Sequence, residues 1–372
     1  MANGISEYAQ ATPPKLALIL WAGSSFGGAE RRFVRLAFHL AEQQQLKVTI
    51  FCFKDALKSI NALGLRLDQV DFEFLDVKSS FFSQRKFGKV FSLLGLPAKI
   101  QKGRFDRVFY ATNPDVVSYF LTRFSHVLAP ISIAMVDLTY EKNATKLNRY
   151  LSRKTISKVL SVDCLSPAVK DAYASAFDSV DSGKIKIAPC SFTDFSKVKE
   201  SEKRDIDIVL LGRFTKYKGH ELLEQISAEL DEYNLHICGS GPLEINAPGA
   251  KVYSSSDPFD ILSRAKISLS LQQFGNYPSQ VVLESMASGC VVVATDIGET
   301  RLFLDESCSV LIGYNSSELL SAIRRLLNDD SLRQQLSEQA RLKVYSEQTI
   351  ERYSGYFLNS VLEVNTVDLS GE

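Results

Sequence analysis

Two doubly wound α/β domains in tandem are the fold class this sequence predicts, and three observations predict it. Short β-branched runs alternate with longer amphipathic stretches along the 372-residue chain. The alternation stops once, in a polar segment after Ser191, and then restarts. The length also exceeds what one hydrophobic core usually supports. Near-continuous apolar strands separated by helices mark parallel sheets covered on both faces.

The first half offers seven strand patterns, at residues 15–21, 47–53, 71–77, 106–112, 131–137, 158–166 and 184–191. Between the first two lies GAERRFVRLAFHLAEQQQ, which puts Phe33, Leu36 and Leu40 on one helical face. FTDFSKVKESEKRD then lacks any apolar period and is expected to be a linker. Six more strand patterns follow, at 205–213, 233–239, 250–255, 265–272, 291–296 and 309–314. The tail from Asp329 reads as helices, the last long enough to return to the first domain. The expected division is therefore 1–192, a linker at 193–204, a second domain at 205–346 and a returning helix within 347–372. Ligands of such sheets bind beyond the carboxyl ends of the strands, which between two domains means a cleft.

Composition narrows the function classes. The chain is 45% hydrophobic and 23% charged, with 43 basic and 43 acidic residues. No apolar run approaches the roughly 20 residues a membrane-spanning helix needs. The opening MANGISEYAQATPPK lacks the basic start of a secretory signal. Six scattered cysteines, none in a CxxC pair, suit reduced thiols and argue against a disulfide framework or a zinc site. A cytoplasmic, soluble protein is expected. Neutrality hides an asymmetry, however, because residues 78–158 hold 15 Lys/Arg against four acids. Within them, 79–104 interleaves bases with Phe81, Phe82, Phe87 and Phe91. That pattern fits either an anionic membrane surface or the solvated face of a core helix; the aromatic spacing and neutral balance argue against nucleic acid.

Three loops of the second half carry the candidate chemistry. GRFTKYKG (212–219) places Arg213 and Lys218 directly after a strand, as a phosphate fork and point charge or as incidental bases of a turn. GSGP (239–242) sits at another strand end; Gly239 and Gly241 permit close backbone approach, yet no third glycine follows at dinucleotide spacing. NYPSQVVLESMASGC (276–290) reads as a short helix, with Pro278 and Ser279 at its start and Gly289 at its end. The free amides of its first turn form an anion site with the helix dipole. Glu284 lies one turn inside and would repel phosphate, so it is either matched to neighbouring hydroxyls such as a ribose diol or a solvated helix glutamate. The combination describes a nucleoside-diphosphate site. Asp205 and Asp207 have the spacing of a metal-binding carboxylate pair but lie at a strand start, away from the expected cleft.

These three segments, with SFGGAERRFVRLAFHLA (25–41), resemble the GT-B-fold retaining glycosyltransferases of family four (glycosyl transferases group 1), which have two Rossmann-like domains facing across a cleft. The resemblance covers most of the chain in order and is most specific in the second domain. It implies transfer of a sugar from a nucleoside-diphosphate-sugar donor to an acceptor hydroxyl with retained anomeric configuration, in cell-surface polysaccharide or lipid-linked glycan synthesis. No cofactor or obligatory metal is implied. The first domain would then serve the acceptor and the second the donor. Arg213 and Lys218 would hold the diphosphate with the amides of Ser279, Gln280 and Val281. Glu284 would bind ribose, and Gly27 and Gly28 would let the first domain's backbone approach the donor. The sequence departs twice from the family pattern. Asn276 replaces the earlier of two glutamates eight positions apart, and Val136 stands where a His precedes Asp137. Asp137 is either an acceptor- or sugar-orienting residue or a plain strand-end aspartate. Rival readings are a catalytically silent nucleotide-binding module and a sugar-nucleotide epimerase.

Overall fold

The computed structural model describes residues 12–22, 26–76, 85–136 (backbone alone for 85–91), 145–173, 181–199, 201, 203–254, 257–275, 277 and 279–364. Its chain forms two compact units. Unit one comprises residues 1–164, 173–187 and 354–372; unit two comprises 165–172 and 188–353.

Unit one holds a seven-stranded sheet of β1 Lys15–Ile19, β2 Lys47–Cys52, β3 Asp71–Phe74, β4 Arg107–Tyr110, β5 Ile131–Met135, β6 Ser161–Cys164 and β7 Ile185–Ile187, in the order β3-β2-β1-β4-β5-β6-β7. Every strand pair is parallel. Among the described residues five helices lie wholly within it: α1 Gly28–Glu42, α2 Ala56–Asn61, α3 Arg85–Gly103, α4 Val116–Thr122 and α5 Lys146–Ile156. Phe33, Leu36 and Leu40 of α1 are fully buried, as their helical spacing requires. Phe33 meets Phe109 of β4 at 5.1 Å between ring centroids.

The chain then passes through α6 Pro167–Ala172, which belongs to unit two. That unit's six-stranded sheet contains β8 Ile206–Arg213, β9 Leu235–Ser240, β10 Lys251–Tyr253, β11 Ala265–Ser270, β12 Val291–Thr295 and β13 Ser309–Ile312, ordered β10-β9-β8-β11-β12-β13 and again parallel. Its helices among the described residues are α7 His220–Ile226, α8 Pro258–Leu262, α9 Gln280–Ala287, α10 Ser316–Asn328 and α11 Asp330–Glu347, and α12 Ile350–Tyr356 begins in it and runs into unit one. Alternate strand residues serve opposite faces. Ile208, Leu210, Ile267, Leu269, Val291 and Val293 join the core with Leu223 of α7 and Ile323 of α10. Val292 and Ala294 instead join Leu283 and Met286 of α9 and Ala340 of α11. All thirteen strand patterns of the sequence form strands, each one to five residues shorter than its apolar run.

The polar segment expected as a linker, 193–204, lies within unit two. Thr193 is buried there, Phe195 packs on Tyr345 at 4.8 Å, and Arg204 donates to the carbonyls of Ala265 and Ser288. The tail crosses back into unit one at Ser354, a few residues later than the expected boundary. There Phe357 packs edge-on against Phe109 at 4.8 Å, and the Val361 carbonyl accepts from Ser132 Oγ (2.9 Å) and Ser161 Oγ (2.5 Å).

Candidate functional site

Each sheet order contains one point where the chain reverses direction, and loops leaving the carboxyl ends there form a crevice. In unit two the reversal lies between β8 and β11. The loop after β8 carries Arg213 and Lys218, and the loop after β11 leads into α9 and Glu284. In unit one it lies between β1 and β4, so that Gly27 and Gly28 follow the first of these strands. Topology thus brings the strongest sequence candidates to the reversal points.

The two loops of unit two are tied together. Lys218 Nζ donates to Gln272 Oε1 at 3.2 Å, and Gln273 N donates to the Tyr217 carbonyl at 3.3 Å. Gln273 Nε2 reaches Glu221 Oε1 (2.5 Å) and Tyr314 Oη (2.9 Å), which fastens the β11 loop to α7 and to the loop after β13. Gly219 makes this approach possible. It has φ +72°, and a Cβ there would lie 1.6 Å from the Leu271 carbonyl oxygen. Lys218 is largely withdrawn from water, and burial first, then the Arg213 charge, pushes its pKa down to about 8. Arg213 itself is exposed at the end of β8. A desolvated lysine beside an arginine is an unfavourable pair until an anion joins it.

The stretch 280–287 is helical, with Ser279 in the N-cap position and extended backbone. The Ser279 hydroxyl makes no cap bond, contrary to the capping expected of it, while its carbonyl accepts from Val282 N (3.0 Å) and Leu283 N (3.3 Å). The amides of Ser279, Gln280 and Val281 precede the first intrahelical bond, so helix geometry supplies them no partner. The Gln280 side chain is spoken for: its Nε2 donates to the Phe192 carbonyl at 3.0 Å. Glu284 is 7% exposed and accepts from Thr193 Oγ1 at 3.3 Å. It is not the solvated helix glutamate that sequence left as an alternative. Ser285 Oγ bonds Ser268 Oγ of β11 at 2.7 Å, and Gly289 ends the helix at φ +75°. This fixes the helix axis on the sheet.

Other candidates land differently. Gly239 and Gly241 are required by packing within the protein, since a Cβ would meet the Gly212 carbonyl oxygen at 1.7 Å or the Phe214 carbonyl oxygen at 2.3 Å. Gly27 caps α1, and its amide donates to Glu30 Oε2 at 2.8 Å, so that N–H is already engaged; Gly28 opens the helix. Asn276 and Asp137 lie outside the described residues. Beside the latter, Val136 N donates to Asn113 Oδ1 at 2.7 Å. Asp205 is paired with Arg264 and Asp207 with Lys266, and among the described residues no acid, His or Cys cluster could hold a metal.

Glu299 was missed by the sequence reading. It follows β12, next to β11 in the sheet; one carboxylate oxygen accepts from Ala168 N at 2.7 Å, and the other is buried with no hydrogen-bond partner among the described residues. The signal was the acid in DIGET directly after an apolar strand.

Comparison with known proteins agrees with this geometry. Residues 215–359 match the family model described as glycosyl transferase-like. Over 166 residues the chain is 28% identical to the N-acetylgalactosamine-N,N'-diacetylbacillosaminyl-diphospho-undecaprenol 4-alpha-N-acetylgalactosaminyltransferase of Campylobacter jejuni. That match spans 40% of this chain and 45% of the relative. The whole chain is similar in fold to Anabaena HepE in complex with UDP and glucose (TM-score 0.75, 14% identity, 93% of this chain and 98% of that one). It is likewise similar to S. aureus TarM in complex with fondaparinux, alpha-GlcNAc-glycerol and UDP (TM-score 0.72, 13% identity, 94% and 99%). The architecture is the GT-B fold.

Proposed function

We propose that this chain, whose residues 215–359 belong to the glycosyl transferase-like family on a GT-B fold, moves a sugar from a nucleoside-diphosphate sugar to an acceptor hydroxyl with retention at the anomeric carbon. The observation that carries the proposal is Lys218, desolvated beside Arg213 at the reversal point of the donor sheet. Charge placed where it develops as the glycosidic bond breaks is the largest lever a transferase has. In the step itself, the acceptor oxygen attacks the anomeric carbon on the face the diphosphate leaves. The carbon–phosphate-oxygen bond breaks, the new glycosidic bond forms, and the acceptor's proton passes to the departing diphosphate. Arg213, Lys218 and the first-turn amides of α9 hold the leaving group, and Glu284 takes the ribose hydroxyls. Glu299 is an added candidate for a donor hydroxyl.

The acceptor is a glycan, either in cell-surface polysaccharide or on a lipid carrier. The diphospho-undecaprenol acceptor in the Campylobacter relative's name and the basic balance of residues 78–158 support a cytoplasmic protein working at the inner face of a membrane. Nucleotide choice is tested by thermal shift with UDP, GDP and ADP, since a ligand that binds only the folded state raises its melting temperature. Transfer from the matching labelled donor to lipid-linked acceptors should follow, survive a chelator, and drop at least about a hundredfold in Lys218→Ala, the scale of losing a charge-stabilising donor. Nucleotide binding with neither transfer nor donor hydrolysis would instead identify a silent module, and a rearranged sugar without acceptor an epimerase.

A further inference from the structure

The two loops that meet at Lys218 each send one apolar side chain into the core and keep another at the surface. In the loop after β8, Phe214 is 9% exposed and packs with the sheet, whereas Tyr217, next to Lys218, is 55% exposed. In the loop after β11, Leu271 is fully buried in the same core, whereas Phe274 is 46% exposed. Core packing thus accounts for one ring or chain in each loop and leaves the other without that role.

The two surface rings meet each other. Their centroids lie 5.2 Å apart with planes at 66°, an edge-to-face contact. The bond from Gln273 N to the Tyr217 carbonyl sets their loops side by side, and Glu221 and Tyr314 hold the Gln273 side chain. The rings are therefore placed by the same contacts that bring Lys218 to Gln272. Phe274 and Gln272 also border a recess at the carboxyl ends of β11 and β12, together with Ser270, Thr295, Ile297 and Thr300. The last two flank Glu299, the candidate for a donor hydroxyl.

Aromatic faces surrounded by amides, hydroxyls and a cation match the chemistry of a carbohydrate. A pyranose presents C–H groups on its faces, which pack on the negative face of an aromatic ring, and its hydroxyls project outward to polar partners. A nucleobase also stacks on aromatic rings. In the proposed donor, however, the base lies beyond the ribose at Glu284, on the opposite side of the diphosphate from the sugar, and the ring pair adjoins the diphosphate lysine. We infer that Tyr217 and Phe274 form a shelf that packs against the apolar face of a pyranose and helps to select the sugar. The inference rests on the transferase reading above. The pyranose is that of the donor or that of the acceptor, which share this chemistry.

Titration calorimetry with the nucleoside diphosphate chosen by thermal shift and with its glucose, galactose and N-acetylglucosamine conjugates tests the shelf, together with saturation-transfer NMR of the free methyl glycosides under irradiation of the aromatic protons. In Tyr217→Ser/Phe274→Ser the bare diphosphate should bind as in the wild type. Each ring contact contributes roughly threefold to tenfold, so the double variant should lose at least about tenfold in affinity for the preferred sugar conjugate or in acceptor KM. A loss in the conjugate assigns the shelf to the transferred sugar; a loss in acceptor KM with kcat retained assigns it to the acceptor. Tyr217→Phe/Phe274→Tyr keeps both rings and should behave as the wild type. Equal losses for the bare diphosphate and its conjugates, or no loss in conjugate affinity, acceptor KM and glycoside signal, would overturn the inference. If the wild type bound no nucleotide, the transferase reading would fall, and the glycoside signal would decide the shelf alone: present in the wild type and lost in the serine variant, it stands, and absent from the wild type, it falls.

Discussion

Lys218 makes the electrostatics of the proposed donor site testable through pH. In the free protein its pKa is down to about 8, from burial and from Arg213. A diphosphate between the two cations favours the charged lysine and raises that value. The sign follows from proton counting: above about pH 8 the free protein has lost a proton that the complex must regain, so affinity falls as pH rises through 8. Without ligand the same shift acts oppositely on stability. The unfolded chain binds the extra proton between about 8 and the ordinary lysine value, so stability rises with pH across that window. Calorimetric titration of the nucleoside diphosphate that the thermal-shift comparison selects, written UDP below, between neutral pH and about 9.5 should show log affinity falling toward one unit per pH unit. Lys218→Met should bind more weakly and lose most of that slope; a wild-type slope in the variant would exclude Lys218 from the phosphate site. Glu284 is separable by ligand choice. Hydrogen bonds to charged groups contribute about 1.5–3 kcal/mol, so Glu284→Gln should weaken UDP by that amount and leave inorganic pyrophosphate, which has no ribose, unchanged. Equal losses for both ligands would move Glu284 from ribose binding to support of α9.

At the scale of elements, the site exists because two loops touch, and Gly219 is where they touch. Its left-handed backbone alone disfavours a side chain by about 1–2 kcal/mol. The Leu271 carbonyl 1.6 Å from the would-be Cβ adds a clash with backbone that cannot rotate away. Gly219→Ala should therefore lower the melting temperature and also separate Lys218 from Gln272, weakening UDP binding more than any nearby surface substitution does. A variant that is destabilised yet binds UDP normally would show the loop contact to be dispensable. The elements themselves were legible, because a strand buried on both faces must be an apolar run, as β8 and β12 show. The places of Lys218, Ser279 and Glu284 in the fold were legible as well, after a strand, at a helix start and one turn inside it, because local sequence marks those positions. The segment 193–204 was misread for the converse reason. Thr193 and Arg204 are polar residues held by particular hydrogen bonds to Glu284, Ala265 and Ser288, and composition records polarity without recording a partner. Glycine roles in GSGP were hidden in the same way, because the obstacle to a Cβ is another loop.

For the whole molecule, the decisive feature is that unit one is built from both ends of the chain. Residues 354–364 complete it after the entire second unit has intervened. Phe357 fills the core beside Phe109, the Val361 carbonyl serves two buried serines, and Arg107 donates to the carbonyls of Leu362 and Glu363. Tyr356 Oη also donates to the buried Asp163 at 3.0 Å. Losing a buried phenylalanine alone costs about 3–5 kcal/mol. Removing residues 354–372 also takes from Ser132 and Ser161 the Val361 carbonyl they share, and from Asp163 one of its partners, the Tyr356 hydroxyl, adding to the cost. Most single domains are stable by only about 5–15 kcal/mol, so the truncated chain should keep unit two folded and lose unit one. Scanning calorimetry with and without UDP distinguishes the outcomes. The full chain should show a transition that UDP raises, and the truncated chain should retain that transition with the same UDP shift while the heat belonging to unit one disappears. Phe357→Ala, a milder change, should lower only the transition that UDP leaves in place. If truncation instead removed the UDP-responsive transition, the tail's stabilising contacts would belong to unit two, and the division of the chain at Ser354 would have to be redrawn.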